Sequence, residues 1–236
     1  VKVFLFVICI ATSSQALPNK IEHTFTVIFW GLEIGFINLK AQINGSEYTI
    51  STKAVTKGLV NLFSETKIIS GAAGTNLKSG NFVPKESKMH IYSRGKLKET
   101  LLKYNQGKII LFEASPELKR AYHIKKPIGV GNTLDPISAT LWFLKEHEES
   151  RICRGKLSIF DGFRRSELTF LKISKVDSGL ECVGVIKRVA GFKRSEIIKK
   201  PLYFRQLFSK SLDGRYRIEM FEVDTIYGRL LFKLAG

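Results

Sequence analysis

The chain has 236 residues, of which 44% are apolar and 25% charged, with 38 Lys and Arg against 21 Asp and Glu, a formal net charge of +17. That apolar content disfavours a disordered chain, and the length is within the range that one all-β domain can occupy. The charge would draw nucleic acid, anionic lipid head groups or acidic polysaccharide, or else reflect solvated faces and the Lys, Ile, Phe and Asn usage of an AT-rich genome.

Lys2 precedes an uncharged apolar run, Val3–Ala11, followed by Thr12-Ser13-Ser14-Gln15-Ala16. A basic start, a short hydrophobic segment and a small-x-small site predict a secretory signal peptide over residues 1–16, cleaved after Ala16. The run is too short to span a bilayer, which takes about 20 apolar residues. No later stretch approaches that length, so no transmembrane anchor is expected after signal removal. The expected location is the periplasm or the medium, and residues 17–236 read as a single β-rich domain.

Strand patterns dominate the rest of the chain. Thr24–Trp30 is β-branched and aromatic, and Gly31–Gly35 is read as its turn. Phe36–Ile43 and Glu47–Val55 alternate, with Ile37, Leu39, Ala41, Ile43, Tyr48, Ile50, Thr52 and Ala54 inward. Asn44-Gly45 between them is the dipeptide of a tight hairpin. Lys57–Phe63 is expected as a short helical turn, and Gly71-Ala72-Ala73-Gly74 as close packing in a strand. Further hairpins are Lys96–Tyr104 with Lys108–Glu113, and Leu157–Phe160 with Arg164–Lys172 around Asp161-Gly162. Glu181–Val189, Pro201–Ser209, Arg215–Val223 and Tyr227–Leu234 complete the strands. Half-polar alternation indicates antiparallel pairing with one solvated face.

Thr133–His147 breaks the period of two: Asp135 can cap a helix, Pro136 suits its first turn, and Ile137, Leu141 and Leu144 share a stripe. The expected fold is mainly β: one antiparallel domain curled into an open or half barrel, with a helix near residues 135–147 packed on it.

Cys153 and Cys182 remain once Cys9 leaves with the leader. Two thiols in an oxidising compartment favour a disulfide, and a Cys-x-x-Cys redox spacing is absent. His23, His90, His123 and His147 show no zinc-ligand spacing, so no metal and no cofactor is expected. Neither a nucleophile elbow nor a phosphate-cradling Gly-rich loop occurs. At Phe160-Asp161-Gly162-Phe163-Arg164-Arg165, two guanidiniums beside a hairpin tip could grip an anion. On the structural reading Asp161 and Gly162 make the turn, one arginine pairs with Asp161 or loop backbone, and the other faces water. Lys193 and Arg194 are either a contact loop or a turn holding Phe192. Residues 151–236 carry 19 basic and 9 acidic side chains, so this third would face an anionic partner. Trp30, Phe63, Trp142 and Phe143 could line a cavity between sheet and helix, or simply pack the core.

Several runs together resemble an uncharacterised family of exported proteins from Gram-negative bacteria, a domain of unknown function. They are Gly31-Leu32-Glu33-Ile34-Gly35, Thr56-Lys57-Gly58-Leu59-Val60-Asn61-Leu62-Phe63 and Leu134-Asp135-Pro136-Ile137-Ser138-Ala139. Cys153 followed by Phe160–Arg165, and Cys182 followed by Arg188-Val189-Ala190-Gly191-Phe192, complete the ordered set. The resemblance implies a β-rich envelope protein, supports the Cys153–Cys182 bridge and implies no reaction.

The functional expectation is a non-enzymatic, monomeric envelope protein holding a lipid, another apolar or amphipathic ligand, or a partner protein in the concavity of its sheet. The alternatives are a hydrolase acting on an envelope polymer and a basic binder of anionic surfaces. Nucleic acid is not expected as a partner.

Overall fold

The computed structural model describes residues 19–58, 61, 65–77, 79–117, 123–124, 126–225 and 227–235. The expected leader, Phe63 and most of the helical turn around it lie outside these.

Thirteen strands form one antiparallel sheet. The first seven are β1 (Asn19–Phe29), β2 (Leu32–Asn44), β3 (Glu47–Thr56), β4 (Thr66–Asn76), β5 (Phe82–Ser93), β6 (Lys96–Asn105) and β7 (Lys108–Ser115). The rest are β8 (Lys156–Phe160), β9 (Arg165–Val176), β10 (Gly179–Ala190), β11 (Leu202–Lys210), β12 (Tyr216–Thr225) and β13 (Gly228–Leu234). The spatial order is β7 to β1, then β13 back to β8, so β1 pairs with β13 at the centre and β7 and β8 are the edges. The hydrogen-bonded ladder is not closed, as an open or half barrel requires.

Leu39, Ala41, Ile43, Tyr48 and Ile50 are buried, on the face their alternation assigns. The turn expected over Gly31–Gly35 is smaller. Only Trp30 and Gly31 turn, and β2 starts at Leu32. Gly35 belongs to the strand, where a Cβ would collide with the Val55 carbonyl. The glycine is there for close approach of two backbones rather than for a turn. β4 and β5 carry weak strand signals because Gly71, Gly74 and Pro84 interrupt them; pairing with β3 and β6 overrides that weakness.

The two edges face each other. Phe160 of β8 is buried among Leu102 and Tyr104 of β6 and Ile109 of β7. The segment 129–134 fills part of the seam. On the β7 side, Ile109 N–H donates to Val130 O (2.9 Å) and Gly129 N–H to Ile109 O (2.8 Å). On the β8 side, Leu134 N–H donates to Ser158 O (2.8 Å) and Phe160 N–H to Leu134 O (2.9 Å). Backbone groups that an open sheet edge would leave for another chain are thus satisfied within this one.

From the seam the chain enters helix α1 (Pro136–Leu144), which packs inside the curled sheet against β3, β4, β5, β8 and β12. Asp135 caps it: Oδ1 accepts from the N–H groups of Ile137 (2.9 Å) and Ser138 (3.0 Å). Ser138 Oγ donates to Asp135 Oδ2 (2.5 Å). Its proton being so used, Ser138 Oγ accepts from the Tyr48 hydroxyl (2.7 Å). Helix and β3 are therefore joined by a buried polar chain with every link made. The helix stops at Leu144 rather than at the expected His147. The reason is tertiary: His147 and Tyr216 exchange both backbone hydrogen bonds (3.0 and 2.9 Å), which demands extended backbone.

The hairpin turns at 45–46, 106–107, 177–178 and 211–215 share the end of the sheet that holds α1, the helix end. The turns at 30–31, 94–95, 161–164, 191–201 and near 227 share the opposite, far end. Cys153 and Cys182 are bonded, Cα atoms 5.6 Å apart, tying the segment after a short 3-10 turn (Glu149–Arg151) to β10.

Two outcomes are expected. The bridge spans a sequence separation of 29, so its loss should lower stability by about 3 kcal/mol on the chain-entropy model. Urea unfolding with and without reductant measures this. Burial raises the Asp135 carboxyl above its ordinary value near 3.8, against the hydrogen bonds of Ser138, Ser87 and Ile137. The folded state then keeps a proton that the unfolded chain releases. Asp135 therefore contributes stability that is greatest below that ordinary value and declines as pH rises through the raised one. Asp135→Asn should flatten this part of the stability–pH curve, as read from denaturation midpoints at successive pH values.

Candidate functional site

The helix and the buried residues around it fill the helix end of the concavity. Beyond the helix the inner face carries a run of aromatic rings. Phe170 of β9 meets Phe204 of β11 edge-on (5.5 Å), Phe204 stacks with Phe221 of β12 (5.8 Å), and Phe221 meets Phe232 of β13 (6.0 Å). The helix adds Trp142, 6.1 Å from Phe170, and Phe143, 6.0 Å from Phe221. Phe170, Phe221, Phe232, Trp142 and Phe143 are only half-buried. Gly184 makes room in this wall, since a Cβ there would collide with the Phe204 ring. Facing it across the barrel, the inward positions of β3 and β4 are small: Thr52, hydrogen-bonded to Ser70 (2.6 Å), and Ala72. Among the described residues, large rings on one wall thus face small side chains on the other.

Where the edges part at the helix end, a cleft of about 330 Å³ opens between helix and sheet. Phe82, Pro84, Leu134, Trp142 and Leu157 give it apolar walls, and Asn132 and Thr133 line it from the seam. Thr133 is 4% exposed, and its Oγ1 has no hydrogen-bond partner. Gln206, fully buried on β11 between the positions of Phe204 and Phe208, likewise has neither amide atom paired. Each such group costs roughly 1–3 kcal/mol, a burden that folds tolerate chiefly at functional positions.

Of the expected cavity residues, the structure brings together Trp142 and Phe143. Trp30 stands apart: it is 75% exposed in the β1–β2 turn, at φ 51°, stacked on Phe29 (5.3 Å). It lines no cavity, because the turn carries its indole past the end of the sheet. Phe63 is outside the described residues. Phe170, Phe204, Phe221 and Phe232 are the site residues that sequence reasoning missed. All four lie on expected strands; bulges at Leu171 of β9 and Glu219 of β12 break the alternation that would have assigned the face of Phe170 and Phe221.

The basic candidates lie at the far end. Asp161 shapes the β8–β9 turn, its Oδ1 accepting from the N–H groups of Phe163 (2.9 Å) and Arg164 (2.7 Å). Gly162, at φ 95°, is buried against Phe112. The expected division between the two arginines takes a different form. Arg164 is both tied and exposed: its Nε and Nη2 donate to Asp161 Oδ2 (2.9 Å each), while the side chain keeps 49% exposure and lies over Phe192. Arg165 is half-buried and donates from Nε to Ser158 Oγ (2.9 Å), so it is committed to the fold. Lys193 precedes the short helix α2 (Arg194–Ile197), its N–H donating to Glu196 Oε2 (2.9 Å). Arg164, Lys193 and Arg194 thus share one region, without Arg165. Among the described residues no group of three or more His, Cys, Asp and Glu side chains could hold a metal. No helix of the described residues is long and apolar enough to cross a membrane.

Because Asp161 holds two backbone donors as well as Arg164, Asp161→Ala should cost about 1–2 kcal/mol. Arg164→Ala, which removes only an exposed ion pair, should cost less than about 1 kcal/mol. Chemical denaturation of both variants, with an unchanged denaturant slope, is the measurement.

Among solved structures, the chain is similar to a beta-barrel-like protein of a domain of unknown function, DUF1849, from Brucella abortus. The two are 12% identical, the match covers 91% of this chain and 94% of that one, and the TM-score is 0.45. No curated protein matches. The family model described as "Protein of unknown function (DUF3108)" matches residues 24–189, from β1 to the end of β10, including α1, the disulfide and the Asp161 turn. The chain is a member of that DUF3108 family.

Proposed function

We propose that this is a non-enzymatic exported protein of the cell envelope that holds an apolar or amphipathic ligand in the concavity of its sheet. The observation that carries the reading is the continuous aromatic wall from Phe170 to Phe232, completed by Trp142 and Phe143 and left half-exposed. A protein interior normally closes over such rings, because each is worth a few kcal/mol when removed from water. The adjoining cleft of about 330 Å³ has the size of small-molecule sites, with polar and apolar lining in about equal parts. Asn132, Lys156 and Ser158 bring polar side chains to its lining, suited to the polar end of an amphipathic molecule. The buried Asp135–Ser138–Tyr48 set has the composition of a catalytic group. It is sealed from solvent, and its hydrogen bonds are spent on holding the helix. Export rests on the leader pattern at residues 1–16, with the Cys153–Cys182 bridge in keeping with an oxidising compartment.

The test is native mass spectrometry of the protein purified from its host, together with titration of the delipidated protein by cis-parinaric acid. The expected result is a co-purified lipid-sized mass and saturable probe fluorescence. Phe170→Ala, checked for an unchanged circular dichroism spectrum, should weaken probe binding by about tenfold through lost ring contact. A protein that carries no small molecule and shows only linear, non-saturable probe uptake sinks the reading.

A further inference from the structure

The far end of the barrel carries a group of exposed apolar side chains. Trp30 is 75% exposed, Leu32 63%, Tyr227 74% and Ile198 78%, with Ile197 beside it at 43%. Singly, exposed apolar residues mean little; these belong to neighbouring connections. β13 pairs with β1, so the turn at Tyr227 adjoins the turn at Trp30, and a Cβ on Gly228 would strike the Trp30 indole. The β10–β11 connection, with Ile197 and Ile198, lies along the same arc through β11 and β12.

The β10–β11 connection on this arc is strongly basic. Residues 191–200 read Gly-Phe-Lys-Arg-Ser-Glu-Ile-Ile-Lys-Lys, four basic residues to one acidic. Glu196 is engaged by the Lys193 backbone, and Arg188 pins the segment by donating to the carbonyls of Glu196 (3.4 Å) and Lys200 (3.3 Å). Arg194, Lys199 and Lys200 are exposed and make no ion pair among the described residues. Glu33 pairs with Lys57 (3.4 Å), Asp161 with Arg164, and Asp224, beside the Tyr227 turn, with Arg229 (3.2 Å).

Aliphatic tips flanked by lysines, with Trp and Tyr beside them, match the demands of a bilayer interface. Aliphatic side chains enter the acyl boundary, indole and phenol rings sit at head-group level, and cations meet lipid phosphates. We propose that the far end of the barrel docks on an anionic phospholipid bilayer through Trp30, Leu32, Tyr227, Ile197 and Ile198, with Arg194, Lys199 and Lys200 engaging head-group phosphates. The proposal does not require a bound ligand and stands apart from the reading of the concavity.

The experiment is flotation of the full chain with vesicles of phosphatidylcholine alone and of equimolar phosphatidylcholine and phosphatidylglycerol, at low and high salt. All variants share residues 3–11, so differences among them report the far end alone. The expected result is preference for the phosphatidylglycerol vesicles, weakened by salt. K199E/K200E should lower partitioning by tenfold or more, at about fivefold for each neutralised lysine. W30S and I198S should each lower it several-fold. Circular dichroism establishes that each variant keeps its sheet. A readout that needs no rim substitution is the emission of Trp30 in a Trp142→Phe chain, which should shift blue on adding phosphatidylglycerol vesicles. Equal partitioning into both vesicle types, variants indistinguishable from the parent, or an unmoved Trp30 emission overturns the proposal. So does a concentration-dependent dimer that I198S abolishes, because the arc would then serve a second copy of the chain.

Discussion

Asp135 is completely buried, and around its carboxylate the helix, β3 and the seam are held in register. A sheet of thirteen strands cannot stay flat, since each pair adds a right-handed twist, and a curled sheet leaves a void that something must fill. One nine-residue helix does so, and only at one end. Its position is set from the seam side, where Leu134 pairs with β8 immediately before the cap. Placement of the helix, closure of the edges and burial of the polar chain from Asp135 to Tyr48 are therefore one arrangement. A rise in pH that forces charge onto that carboxyl weakens all three together.

Among the described residues, the helix fills the helix end of the interior, and the rings of β9, β11, β12 and β13 face small side chains of β3 and β4. The same division separates the two surfaces of interest. Inside, Trp142 and Phe143 present the helix to Phe170 and Phe221. Outside, the turns of the far end carry Trp30, Tyr227 and the Ile197-Ile198 pair among basic residues.

The site was partly legible in the sequence. Asp161-Gly162 and Asp135-Pro136 announce their turn and cap because short-range chemistry dictates them, and the structure follows both. Trp142 and Phe143 could be assigned to the helix for the same reason. Trp30 could not be placed, because two residues of turn decide whether a side chain at a strand end points inward or past the sheet. Phe170 of β9 and Phe221 of β12 escaped because bulges at Leu171 and Glu219 reverse the inward positions partway along their strands.

What the sequence determined by itself was local: alternation sufficient for an antiparallel β domain, turn dipeptides marking several hairpins, one capped helix and two cysteines that pair. The cysteine pair aside, these arise from interactions between residues a few positions apart. Only the tertiary structure decided that β1 would pair with β13, that Phe160 would meet Leu102 and Ile109 across the seam, and that α1 would end at Leu144 for the sake of the His147–Tyr216 bridge. Those choices join residues up to about 200 positions apart. Their energy comes from apolar area buried between whole elements, which has no direction along the chain and leaves no periodic mark in it.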